Sequence, residues 1–464
     1  MIFSSITFLY YFLPVTLGLY YLVPKQFKNT MLLAASLFFY FWGEPKYGGL
    51  MLAEIFVAYG IGRRIEKYRQ SRLGVCYLAG GISFCLILLF WFKYADFLIR
   101  NLNYIPGVDL GFLYMILPIG ISFYTFQIIS YEIDVYRGTV AAQKSLVDFA
   151  LYVSLFPQLI AGPIVRYRSL ELELKERVYS ASQLAYGIRR FVLGLGKKVI
   201  LANTIGEMLN KVEVQSVLGC WLTTIGFTLQ IYYDFSGYSD MAIGLGRMFG
   251  FHFPENFKHP YCSKTITEFW QRWHISLGRW FRDYVYIPMG GNQVSKGHFI
   301  CNILAVWFLT GMWHGASWNF ILWGLYFGIL LLGEKTVFRN LLEKMPKAVC
   351  HIYTIFFVMA GMVLFEKESL SEVWNQLGGL FGVGMNTGAD ELSVYYLKSY
   401  AVTLMIAIIG ATPLLKNLWE KCEKNQTGEK IVFILEPFGL AGLLLLITAH
   451  LIDGAFNPFL YFRF

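Results

Sequence analysis

Charge is scarce in this sequence: 15% of its 464 residues are Asp, Glu, Lys or Arg, while 56% are hydrophobic and 18% aromatic. Soluble domains carry about a quarter charged residues, so the shortfall excludes an ordinary soluble protein and points to an integral membrane chain. Cysteine is sparse too, with seven residues scattered over the chain and no C-x-x-C pair. That excludes a disulfide framework and a zinc-type cysteine site, and leaves small, inert thiols. His252 and His259, with Asn256 between them, lack ligands at zinc-like spacing, so no metal is expected. Gly244, Gly246 and Gly250 follow no strand and miss the dinucleotide fingerprint. No nucleic-acid-binding motif is present, and no nucleic acid partner is expected. Internal repeats are also missing, which counts against a transporter or flippase built from repeated halves.

What the chain has in abundance is apolar runs. Crossing about 30 Å of hydrocarbon takes roughly 20 residues. Candidates lie near 5–23, 30–42 with 46–62, 75–92, 112–130, 147–162, 186–203, 217–233, 236–251, 299–315, 317–333, 350–365, 395–415 and 431–451. Several are too short to span alone. The expectation is an all-α polytopic membrane protein with about eleven transmembrane helices plus re-entrant or interfacial pieces. The first segment has no basic leader and no A-x-A site before Pro24, so it reads as the first membrane helix. Net charge is +9. Its placement matters more than its sum: Arg63, Arg64, Lys67, Arg69 and Arg72 cluster between two apolar segments, which puts that loop in the cytoplasm, against anionic membrane lipid.

Residues 1–162 read as a bundle of hydrophobic segments with Pro14, Pro24 and Pro118 as kinks or breaks. The piece Phe156-Pro157-Gln158-Leu159-Ile160-Ala161-Gly162 looks like a helix broken near the surface. The largest polar insertion covers 255–296. Within it Phe269, Trp270, Trp273, Leu277, Trp280 and Phe281 recur at helical spacing opposite Gln271, Arg272, Arg279 and Arg282, which predicts an amphipathic helix lying in the interface. A second polar patch, 366–392, is Gly-rich and reads as a loop with one short helix.

Chemistry is carried by few residues. His314 stands in Gly311-Met312-Trp313-His314-Gly315, inside the uncharged run 299–333. An imidazole at membrane depth costs desolvation, so it is a functional candidate by default. A neutral ring can take a proton from a hydroxyl, and a hydrogen bond across helices is the structural alternative; position alone leaves both open. His274, in Phe269-Trp270-Gln271-Arg272-Trp273-His274, reads as an interfacial histidine or as part of a site beside a long aromatic surface. Asp234 and Asp240, six positions apart, would point about 120° away from each other on one helix, which argues against a carboxylate dyad; a hydrogen-bonded turn and a polar channel wall stay open. The C-terminal stretch 457–464, with Tyr461, is either an interfacial anchor or a terminus carrying one reactive hydroxyl.

Taken together, these motifs resemble the membrane-bound O-acyltransferase superfamily in its bacterial alginate O-acetylation branch. The resemblance runs from Met1-Ile2-Phe3-Ser4-Ser5 and Phe12-Leu13-Pro14 through 156–164, Asp234-Phe235-Ser236-Gly237-Tyr238-Ser239-Asp240 and Phe269–His274 to Gly311–Gly315. It covers the chain as a single domain, 1–464. It implies a ring of tilted helices around a thin centre in a multi-pass protein of the bacterial cytoplasmic membrane, with His314 as catalytic base and His274 as the second histidine, orienting the donor or stabilising the oxyanion. Tyr461 matches a transient acyl carrier. The donor implied is acetyl-CoA or another acyl thioester, or an acyl carrier protein, met by Trp273, Arg272, Asn319 and Trp313. The acceptor is an exported or cell-surface polysaccharide, and an extracytoplasmic esterase-like acyltransferase is the expected partner protein. D-alanylation of teichoic acid and peptidoglycan O-acetylation are the rival tasks for the same fold.

Overall fold

The computed structural model describes residues 2–160 and 162–454. The 457–464 stretch and Tyr461 lie outside the described residues. All regular structure among those described is helical, apart from one parallel bridge between Ser216 and Thr387. Among the described residues, four helices are long and apolar enough to cross a bilayer by length and composition: Arg72–Leu102, Lys347–Glu366, Glu391–Gly410 and Thr427–Asp453. Most other apolar runs fold as shorter or interrupted pieces, whereas 217–233 and 236–251 join in one continuous helix, Val217–Met248. The opening run is a π turn, Phe8–Phe12, leading into Leu13–Leu22 with Pro14 in its first turn.

The chain gathers into two compact units. The first comprises Met1–Phe191 and Ser239–Pro254. Its centre is aromatic, with Phe3, Phe8, Phe39 and Phe156 fully or almost fully buried and Phe8 and Phe156 ring centroids 6.2 Å apart. The piece expected to break near the surface does break, at Leu155 between Leu146–Ser154 and Phe156–Leu159. It does so in the interior instead, with Phe156, Gln158 and Leu159 all buried. Glu54 and Glu132 are also fully buried here, and their carboxyl oxygens have no hydrogen-bond partner among the described residues. Asp240 pairs with Arg190 at 2.6 Å.

The second unit comprises Val192–Tyr238 and Glu255–Phe464. Asp234 pairs there with Lys198, both almost completely buried. The two aspartates lie on one continuous helix, Val217–Met248, not in a turn. The heart of this unit is a helical hairpin. Lys296–His314 ends at His314, and Trp318–Thr336 begins after a three-residue break in which the Ser317 Oγ accepts from the Asn319 N–H at 3.3 Å. The run 299–333 therefore holds two helices, and His314 sits at the end of one. Glycine makes the hairpin possible: a Cβ on Gly311 would fall 2.2 Å from the Phe320 carbonyl oxygen, and one on Gly324 would fall 2.2 Å from that of Trp307. The helices touch backbone to backbone, the use membrane proteins make of small residues.

Candidate active site

The stretch expected as one interfacial helix folds as two short helices, Ile266–Arg272 and Ile275–Phe281. The break falls at Trp273 and His274, with His274 in the left-handed region at φ 43°, ψ 51°. Periodicity registered the aromatic spacing but could not see the break. Nor does the aromatic face meet lipid: Phe269, Trp273, Leu277, Trp280 and Phe281 are buried in the protein. The first helix is tied down at its start by Glu334 of Trp318–Thr336. That carboxylate accepts from the N–H groups of Ile266 at 2.6 Å and Thr267 at 2.9 Å, and from the Thr267 hydroxyl at 2.7 Å. Acidic groups are favoured at a helix N-terminus, where N–H donors stand unpaired.

A cavity of about 540 Å³ opens beside this segment. Trp270, Trp273, Trp307 and Ile303 supply apolar wall, and His274 belongs to the same wall. Arg279, Arg282 and Lys335 line it as well, and all three are exposed. The volume falls in the range of small-molecule sites, which run to about 300–1,000 Å³.

His274 is 2% exposed. Its Nδ1 lies 3.2 Å from the Asn256 Oδ1, and its Nε2 has no hydrogen-bond partner among the described residues. Burial holds this imidazole far below its usual range, at about 3, so the ring is neutral at physiological pH. The Phe235 ring stands edge-on to it at 4.7 Å, and Trp313 lies 5.9 Å away. His314, 5% exposed, packs against Trp313 at 5.1 Å, Trp323 at 4.9 Å and Phe365 at 5.3 Å. The two histidines thus flank one indole.

Of the residues expected to meet a donor, Trp273 lines the cavity and Trp313 stands between the histidines. Arg272 and Asn319 are outside the cavity wall. Arg272 pairs with Glu268 at 2.6 Å, and the Asn319 amide donates to the Lys367 carbonyl. Sequence reasoning passed over Arg279, Arg282 and Lys335 as cavity residues, although the first two had been placed on the basic side of the same stretch. The third comes from a different helix, which spacing within one segment could not reach. Among the described residues, no three His, Cys, Asp or Glu side chains come together as metal ligands.

The sequence pattern of MBOAT, the membrane-bound O-acyltransferase family, matches residues 130–366, just over half of the chain. A probable alginate O-acetylase, AlgI, of Azotobacter vinelandii is 41% identical over 417 residues, covering 88% of this chain and 84% of that protein. The chain belongs to the membrane-bound O-acyltransferase family. It is accordingly a membrane O-acyltransferase, and both His274 and His314 fall inside the stretch that carries the family pattern. A peptidoglycan O-acetyltransferase of Helicobacter pylori is 33% identical, covering 90% of this chain and 87% of its own length. A teichoic acid D-alanyltransferase of Bacillus subtilis is 30% identical over 65% of this chain and 80% of its own.

Proposed function

We propose that this protein transfers an acyl group, acetyl first among candidates, from a cytoplasmic thioester such as acetyl-CoA to an exported or cell-surface polysaccharide, as a multi-pass protein of the bacterial cytoplasmic membrane. The observation that carries this reading is the cavity. Its tryptophan walls suit the apolar arm of a thioester, Arg279, Arg282 and Lys335 suit the phosphates at the arm's far end, and His274 belongs to the same wall. His314, across Trp313, is the candidate catalytic base, with His274 as the second histidine of the centre.

The logic of such a site is access. A charged thioester cannot cross hydrocarbon, and neither can a sugar polymer. Reaction at a thin centre between two funnels removes the need for either to cross. Tyr461 is the candidate relay: its hydroxyl would take the acyl group as an ester and pass it on, with an extracytoplasmic esterase-like acyltransferase completing the transfer. A labelled thioester should then leave an acyl adduct on the C-terminal peptide of the wild type and none in Tyr461→Phe. Acyl transfer with no adduct in either would mean direct transfer.

Acetyl is favoured over D-alanyl because the alginate O-acetylase and peptidoglycan O-acetyltransferase relatives match more of the chain at higher identity than the D-alanyltransferase does. The deciding experiment is chemical analysis of surface polymers from a deletion strain. Loss of base-labile acetyl esters, restored by the intact gene, is the expected result. Unchanged esters would refute the proposal, and loss of ester-linked D-alanine would transfer it to the teichoic acid reading, with a carrier protein as donor.

A further inference from the structure

Asn256 has no part in the reading above, yet it organises the turn that carries His274. It is fully buried. Its backbone carbonyl accepts from the Ile275 N–H at 3.0 Å. Its side-chain Oδ1 accepts from the Ser276 N–H at 3.1 Å and the Ser276 hydroxyl at 2.9 Å. The same Oδ1 lies 3.2 Å from the His274 Nδ1. These contacts hold His274 in its left-handed conformation, which costs a non-glycine residue about 1–2 kcal/mol.

They also settle a proton. A backbone N–H can only donate, so the amide atom facing Ser276 must be oxygen; turning the amide over would set donor against donor. With Oδ1 fixed as an acceptor, the Nδ1 opposite it must carry hydrogen. A neutral imidazole has one N–H, which leaves Nε2 with a bare lone pair. That nitrogen is buried, and no described protein group occupies it.

We infer that Asn256 is a positioning residue that locks His274 in the Nδ1–H tautomer, leaving its buried Nε2 a hydrogen-bond acceptor and not a donor to an oxyanion. Of the two roles expected for His274 from the sequence, this keeps orientation and removes oxyanion stabilisation, and it rests on the thioester reading above. In the step that follows, the acceptor hydroxyl oxygen attacks the thioester carbonyl carbon while His314, the expected base, takes the hydroxyl proton. The carbon–sulfur bond then breaks with its electron pair on sulfur, and the His314 imidazolium returns the proton to give the free thiol. His274 stays neutral throughout, with its Nδ1–H on the Asn256 oxygen, and offers Nε2 only as a hydrogen-bond acceptor that orients the reacting group.

The test is nitrogen NMR on the full-length protein in lipid bilayers, with ¹⁵N-labelled histidine and His274→Gln to identify the signals by difference. The expected spectrum has a protonated Nδ1 and a bare Nε2 in the absence of any substrate. Asn256→Ala should mix the tautomers and lower kcat by about 10²-fold or more with little change in KM. Asn256→Asp keeps an oxygen acceptor for all three donors, so it should retain the tautomer and most of the activity that the alanine variant loses. A protonated Nε2 in the wild type overturns the inference, as does an Asn256→Asp protein that folds with the opposite tautomer. Because the spectrum is read without donor or acceptor, a bare Nε2 in a protein that transfers no acyl group would sink the functional proposal alone.

Discussion

Trp313 packs its ring against His274 with centroids 5.9 Å apart, although the two residues belong to different helical segments. Its chain neighbour His314 stacks edge-on against the same indole at 5.1 Å. One aromatic side chain therefore connects both histidines. That contact ties the broken 266–281 stretch to the end of the hairpin's first helix.

Replacing His314 tests whether the ring packs or reacts. His314→Ala should abolish acyl incorporation into polymer while the protein still accumulates in the membrane. His314→Phe is the sharper variant, because it keeps an aromatic ring against Trp323 and Phe365 and removes only the nitrogens. A loss of about 10²–10⁴-fold in both is expected for a proton-transfer group; near-normal turnover by the phenylalanine variant would reduce His314 to packing.

Arg279 and Arg282 make a prediction about binding. If they hold donor phosphates, Arg279→Ala combined with Arg282→Ala raises the donor KM about 10-fold, equivalent to ~1.4 kcal/mol, and leaves kcat close to wild type. Both side chains are exposed, so the difference between variant and wild type should shrink as salt is added. A fall in kcat at unchanged KM would remove them from the donor site.

Gly311 tests the hairpin. Gly311→Ala places a methyl group 2.2 Å from the Phe320 carbonyl oxygen, where no flexible side chain can yield, and should lower stability by about 1–3 kcal/mol, as overpacking does. Gly297, on the same helix, meets nothing within 4 Å. Gly297→Ala should be neutral or slightly stabilising. Equal thermal unfolding of the two variants in detergent would contradict the close backbone approach.

His274 links stability to pH. Its folded-state value of about 3 lies below the value near 6.5 expected of the unfolded chain. Between those limits the unfolded state binds more protons, so this residue's contribution makes stability rise with pH from about 3 to 6.5 and level off above. Unfolding of purified protein at pH 4.5 and 7.5 should show His274→Gln losing less stability on acidification than the wild type does. An equal loss in both proteins would mean that the ring takes up its proton while folded.

The sequence by itself determined the class and the principal residues. Few charges and many long apolar runs dictate membrane helices, because only internally hydrogen-bonded backbone survives in lipid. The order of the motifs around His274 and His314 was enough for the family. What periodicity could not supply was discontinuity. The 266–281 stretch has the spacing of one amphipathic helix, but Asn256, brought in from an earlier turn, holds His274 in a left-handed conformation that splits it. The break between 299–315 and 317–333 was legible in the sequence, but the pairing of the two helices was not: Gly311 and Gly324 let their backbones meet. Glu334 reaches back to cap a helix that precedes it in the chain. Lys335 joins Arg279 and Arg282 around one cavity by the same folding back. A local pattern records which residues prefer burial. Only tertiary structure decides which distant groups satisfy them, because the partners of a buried donor or a bare nitrogen come from segments that sequence spacing does not connect.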